Sequence, residues 1–153
     1  MKKITFLCHG NICRSPMAEY VMKALAAREG RDGDFLITSA AVSYEEEGNP
    51  MYPPARRTLE AHGIPFGPHR AHRITPGEAA AADMILAMDR SNLRLLSRIV
   101  PAACMEKASL LLSCTGQDRD VADPWYTGDF EQTYRDVLAG CEALLRELSA
   151  ETL

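Results

Sequence analysis

The chain has 153 residues, 46% of them hydrophobic and 25% charged, with a formal net charge of −4. That length suits one domain around one core, and an acidic balance gives no electrostatic reason to expect nucleic acid as a partner. No apolar run is long enough for a membrane span, Ile4 to Cys8 is too short for the apolar region of a secretion signal, and the odd set of five cysteines fits a reduced, cytoplasmic protein better than a disulfide framework.

In chain order, Ile4 to Leu7 is a short β-rich run that ends in the turn CHGNICRSP. Met17, Tyr20, Val21, Ala24 and Leu25 then recur at i, i+3, i+4, i+7 and i+8, one face of a helix. Pro16 suits the first helical position and Ser15 the cap before it. Gly30 and Gly33 break the chain, and Phe35 to Ala40 reads as a second strand. Residues 43–54, with Gly, Pro and three Glu, read as a loop. Pro53 or Pro54 opens a second helix, which stops at His62-Gly63. Thr75 and Glu78 have capping-box spacing. Met84 to Met88 is a continuous apolar run, as in a strand buried on both faces. A helix from about Arg90 to Val100, capped by Asp89 and stopped by Pro101, precedes a fourth strand, Ala108 to Leu112. A polar loop over 113–128 leads to a long amphipathic helix marked by Phe130, Tyr134, Val137, Leu138, Cys141, Leu144, Leu145 and Leu148, with Asp129 as its cap. Strand alternating with helix predicts a single α/β domain over residues 1–153, with a parallel sheet covered on both faces. Ligands bind such sheets beyond the carboxyl ends of the strands, and the first turn sits at one of those ends.

The residue types in that turn fit an anion. Gly10 and Asn11 tolerate positive φ, so the segment His9-Gly10-Asn11-Ile12-Cys13 can curl with its amides inward as a nest. The helix N-terminus adds unpaired amides and a positive dipole end. Arg14 supplies a planar fork that matches two oxygens of a tetrahedral anion. Cys8 stands at the centre, where a helix start, an arginine and the Ser15 hydroxyl all favour a thiolate. A thiolate at the floor of a dianion cradle suits attack on the phosphorus of a phosphate monoester. Cys8, His9 and Cys13 lack a fourth ligand and the spacing of a zinc site, and no metal or cofactor is expected.

CHGNICRSPMAEY resembles the signature of the low molecular weight protein tyrosine phosphatases, and LEAHGI, ITPGEAAAADMILAMDRSNLRLL and ADPWYTGDFEQTYRDV resemble later segments of that family in the same order. The resemblance implies a four-stranded parallel sheet flanked by helices, in the flavodoxin-like doubly wound manner. It also implies hydrolysis of phosphotyrosine through a cysteinyl-phosphate, without a metal. It matches Asn11 to an asparagine that holds the loop by bonding a serine and a histidine, which fall at Ser39 and His62. It further suggests a reversible Cys8–Cys13 disulfide, with Cys13 as redox partner of the nucleophile.

The leaving phenolate needs a proton, and Asp123 in ADPWYTG is the candidate. Pro124 restricts it to an extended conformation, and Trp125 and Tyr126 offer flat walls for a ring. The resemblance makes it general acid in one step and general base in the next. Asp118 and Asp120 lack the proline and the aromatics. Tyr44 is a further possible wall in a loop that departs from the family pattern, and Glu45-Glu46-Glu47 and the stretch His69 to Arg73 read first as solvated charge. Phosphotyrosine proteins or small phosphate monoesters are the expected partners of a monomer or weak dimer. The rival readings are an arsenate reductase on the same loop, a phosphoarginine phosphatase, and a phosphotyrosine-binding module without turnover.

Overall fold

In β1 (Lys2–Cys8), Ile4, Phe6 and Cys8 face one way and Leu7 the other, the two-residue period of a strand with both faces covered. The computed structural model describes residues 1–151, so the last two residues of the expected domain lie outside it. β1 pairs in parallel with β2 (Phe35–Ala41) on one side and β3 (Met84–Ala87) on the other, and β3 pairs with β4 (Ala108–Leu110). The order β2-β1-β3-β4 makes one four-stranded, all-parallel sheet.

Ile4, Phe6, Phe35, Ile37 and Leu86 bury one face of the sheet against α1 (Arg14–Arg28), α2 (Pro53–Ala61) and a long C-terminal helix over Phe130–Glu151. Leu7, Ala40 and Ile85 bury the other face against α3 (Pro76–Ala81), α4 (Arg90–Leu96) and the turns after it. The helix-sheet-helix layering expected from the sequence is therefore present. The chain leaves β1 for β2 on one side and returns to β3 on the other, which opens a crevice at the carboxyl end of β1.

Several local expectations differ. α1 begins at Arg14 with Cys13 before it and no side-chain cap, so Ser15 lies inside the first turn rather than at the cap. Its hydroxyl is drawn to the Cys8 sulfur instead, as described below. β4 stops at Leu110, because Leu111 and Leu112 turn inward in a 3₁₀ segment to fill the core shared by α1 and the C-terminal helix. α4 ends at Leu96, where Arg98 and Ile99 tighten to i−3 carbonyls and the Ser97 hydroxyl donates to the Arg94 carbonyl at 2.6 Å. The polar loop carries one helical turn, α5 (Pro124–Thr127), which makes the C-terminal helix α6. The Thr75–Glu78 capping box is formed by bonds of 3.1 Å in each direction, and Asp129 caps α6 by accepting from the Gln132 amide at 2.9 Å.

Candidate active site

β1 delivers Cys8 to the crevice and α1 starts six residues later, so the turn between them must fold back over the strand end. Asn11 makes the reversal at φ 61°, the one non-glycine residue in the left-handed region among those described. The conformation is held from several sides. The Asn11 side-chain amide donates to Ser15 Oγ at 2.8 Å and to Ser39 Oγ at 3.0 Å, while its Oδ1 accepts from the His72 backbone amide at 3.3 Å. The last bond fixes which end of the amide faces the serines. Ser39 in turn donates to Glu19 at 2.6 Å, and His69 Nε2 meets the Asn11 carbonyl at 2.7 Å.

This orientation reaches the sulfur. Ser15 Oγ accepts from Asn11, so its own proton is free to point at Cys8 Sγ, 3.0 Å away. The backbone amides of Asn11 and Ser15 also donate to Sγ, at 3.3 and 3.4 Å. Three donors therefore converge on one sulfur at the start of a helix, an arrangement that stabilises negative charge there. Cys13 differs. Burial, then the neighbouring Cys8 and Asp123, push its thiol up to about 12, so it is neutral at physiological pH.

Arg14 is almost wholly buried. Nη1 donates to Asp89 Oδ2 at 2.7 Å and to the Val121 carbonyl at 2.9 Å, and Nη2 lies 3.4 Å from Asp123 Oδ2. Burial works against its charge, but Cys8, Asp123 and Asp89 outweigh it and raise its pKa above the ordinary value. Asp123 caps α5 by accepting from the Trp125 amide at 3.0 Å, and its other oxygen turns toward Arg14.

Cys8, Cys13, Arg14 and Asp123 line one cleft with His9, Gly10 and Ile12, and Trp125 and Tyr126 stand at its mouth. Trp125 leans on Tyr52, ring centroids 5.0 Å apart, and Tyr52 packs near Phe130, so the wall is braced from behind.

Two expectations fail in this region. His62 does not reach Asn11. It sits at the end of α2, stacked on Tyr134 at 3.9 Å and bonded to Glu131 at 2.8 Å. The loop-holding histidines are His69, by its ring, and His72, by its backbone. That stretch looked like solvated charge because pairing of its backbone with the end of β2, through Ala41 and Ile74, leaves no mark in side-chain pattern. Tyr44 is not a wall either. It lies under the Arg73 guanidinium at 4.5 Å, and Glu45 and Glu46 line the cleft instead, Glu45 within 3.1 Å of His9 Nε2. Asp89 was legible only as a helix cap, because its second role depends on Arg14 arriving from β1's turn.

The family model for low molecular weight phosphotyrosine protein phosphatases matches residues 3–153. The chain belongs to this family. It is 40% identical to the low molecular weight phosphotyrosine protein phosphatase of Rattus norvegicus, over 95% of both chains. The crystal structure of YfkJ from Bacillus subtilis is similar at a TM-score of 0.93 and 34% identity, with 100% of this chain and 98% of that chain covered. A Drosophila arginine phosphatase is similar at a TM-score of 0.86 and 30% identity, covering 97% of this chain and 98% of that chain. The molecule is thus a protein tyrosine phosphatase, a hydrolase, and the cleft at the end of β1 is its candidate active site.

Proposed function

We propose that this phosphatase hydrolyses phosphotyrosine in two steps, with Cys8 as nucleophile. The loop amides of residues 9–15 and the Arg14 guanidinium hold the phosphate oxygens. Cys8 Sγ attacks phosphorus in line, the bond to the phenolic oxygen breaks, and Asp123 gives its proton to the leaving phenolate. Water then attacks the phosphocysteine, Asp123 takes a proton from it, and the thiolate and inorganic phosphate are released. Charge spreads over the equatorial oxygens in each transition state, so the fixed amides and Arg14 supply the largest stabilisation. Ile12 and the braced Trp125 offer apolar surface to the tyrosine ring. The single observation that carries this reading is the convergence of three donors on Cys8 Sγ beside a buried arginine and Asp123.

The test is steady-state and burst hydrolysis of para-nitrophenyl phosphate and phosphotyrosine peptides. Cys8→Ser is expected to abolish turnover, and Asp123→Ala to lower kcat by about 10²–10⁴. Unchanged turnover in the serine variant overturns the mechanism, and binding without turnover in the wild type replaces it with a recognition module. A second reading has one observation in its favour: Glu45 and Glu46 at the mouth would suit a cationic leaving group such as phosphoarginine. The apolar Ile12 and Trp125 surfaces favour the tyrosine ring, and a kcat/KM comparison of phosphoarginine and phosphotyrosine peptides decides between them. The free thiols suit a reducing compartment, and we place the reaction on phosphotyrosine proteins of the cytoplasm.

A further inference from the structure

Among the described residues only three charged side chains are buried: Arg14, Glu19 and Asp136. Arg14 belongs to the phosphate cradle, and Glu19 holds Ser39 in the network behind it. Asp136, in the second turn of α6, has no part in the mechanism above. A carboxylate taken out of water is costly unless it is paired and hydrogen-bonded, so its partners show what it is for. They are Arg119, in a bidentate pair at 2.8 and 3.2 Å, and the Gln132 side-chain amide at 3.1 Å. Arg119 lies four residues before Asp123 in a segment, 117–123, that has no helix or strand of its own.

The rest of that segment is held from both sides. Val121 is buried and donates to the Met88 carbonyl at 2.8 Å, while its own carbonyl takes Arg14. The buried Thr133 hydroxyl, one turn before Asp136 on the same helix, reaches the Ala122 carbonyl at 3.4 Å. Arg90 of α4 holds Asp120 at 3.3 Å and pairs with Asp118. Among these anchors, the Arg119–Asp136 fork is a charged pair to a buried carboxylate, and its two parallel bonds constrain orientation as well as distance. Without the fork the segment keeps its anchors to β3 and α4 but loses its charged tie to α6, and misplacement of the Asp123 carboxyl by about 1 Å is enough to cost rate heavily.

We propose that Asp136, through Arg119, is a positioning residue for proton transfer by Asp123. It touches no reacting atom. It holds the segment that carries the acid against α6, so that the carboxyl stands over the leaving oxygen. The inference rests on the role given to Asp123 above. It also predicts a kinetic signature that a merely structural role would lack. A phenol that is a good leaving group needs little help from an acid and a poor one needs much, so loosening the segment should steepen the dependence of the phosphorylation step on leaving-group acidity.

The experiment is stopped-flow measurement of phenol release in the first turnover, for aryl phosphates whose phenols span a wide range of acidity. It compares wild type, Asp136→Asn, Arg119→Gln and each change combined with Asp123→Asn. The singles are expected to slow release of the least acidic phenol about tenfold, a fraction of the full general-acid contribution, and to leave release of the most acidic phenol within about twofold. Arg119→Lys should recover part of the loss. In the Asp123→Asn background neither change should have a further effect on leaving-group dependence. Equal slowing of every substrate, or an unchanged slope, overturns the inference. Arg119 is half exposed, so its glutamine variant gives the readout even if Asp136→Asn fails to fold. The two failures are distinguishable: an unchanged slope in the Asp136 and Arg119 variants beside a steepened slope in Asp123→Asn alone sinks only the positioning role, whereas an unchanged slope in Asp123→Asn sinks the acid role of Asp123 itself.

Discussion

The Asp89 carboxylate binds Arg14 with one oxygen and caps α4 with the other: Oδ2 accepts from Arg14 Nη1 at 2.7 Å, and Oδ1 from the Asn92 amide at 2.8 Å. The start of α4 and the Arg14 guanidinium therefore share one anchor. Since Nη1 is also taken by the Val121 carbonyl, the fork is presented to the cleft from its other edge.

Asp89→Asn keeps the cap and removes the charge, and Asp89→Ala removes both. A charged hydrogen bond of this kind contributes about 1.5–3 kcal/mol, so inhibition by inorganic phosphate should weaken about tenfold or more in Asp89→Asn. The alanine variant should also lose about 1 kcal/mol of stability from the lost cap. Phosphate inhibition constants and urea midpoints read the two effects separately. An asparagine variant that binds phosphate as the wild type does would show that Arg14 needs no anchor.

Asn11 combines a strained backbone with a buried side chain that makes three bonds. Asn11→Gly removes the bonds and relieves the strain, whereas Asn11→Ala removes the bonds and puts a methyl-bearing residue at positive φ. The alanine variant should therefore be less stable than the glycine variant by about 1 kcal/mol. Both should lose most activity, because the Ser15 proton is no longer directed at Cys8. Equal denaturation midpoints for the two would mean that the turn rearranges when the side-chain bonds are lost.

The layered sheet and the turn after β1 were legible because each is written locally. Alternating strand and helix patterns announce the doubly wound sheet, and Cys8, Gly10, Asn11, Arg14 and Ser15 lie within eight consecutive residues. Asp123 was legible through the proline and aromatics beside it. What sequence missed is held by contacts between distant segments. Ser15 reads as a cap until Cys8 is seen beneath it, and His69 and His72 act through a ring on a carbonyl and a backbone amide. Glu45 and Glu46 line the cleft rather than Tyr44, because Arg73 sits over the tyrosine ring. The Arg119–Asp136 fork joins two polar residues with no shared motif.

Alkaline pH should destabilise the fold through its buried thiols. Burial raises Cys13 from an ordinary 9.0 to about 12 and Cys114 to about 11, and pushes the fully buried Cys141 up as well. Above pH 9 the unfolded chain loses these protons while the folded chain keeps them, so the unfolded state binds fewer protons and stability falls as pH rises. The contribution is fully present below about pH 9 and is lost as pH climbs toward 11–12. Each fully buried thiol adds a slope of at most about 1.4 kcal/mol per pH unit, and the half-buried Cys114 adds less. Urea unfolding from pH 8 to 11 should show the decline, and the Cys114→Ala, Cys141→Ala double variant should show a shallower one. Parallel curves would mean that other groups set the alkaline limit.

Gly140, inside α6, is there for packing rather than for conformation. A Cβ at this position would lie 2.5 Å from Leu111 Cγ and 3.0 Å from both its methyl carbons, and Leu111 is fully buried with no room to withdraw. Alanine in a helix interior gains about 1 kcal/mol over glycine, but overpacking a rigid core costs about 1–3 kcal/mol. A clash this close belongs at the upper end of that range, so Gly140→Ala should destabilise by about 1–2 kcal/mol net. The sign should reverse once the obstacle is removed. With Leu111→Ala already in place, which itself costs about 2–5 kcal/mol, adding Gly140→Ala should stabilise by up to about 1 kcal/mol through helix propensity and partial filling of the cavity. A double-mutant cycle in urea measures the coupling directly. If Gly140→Ala has the same effect in both backgrounds, the close approach of α6 to the segment after β4 does not depend on the missing side chain.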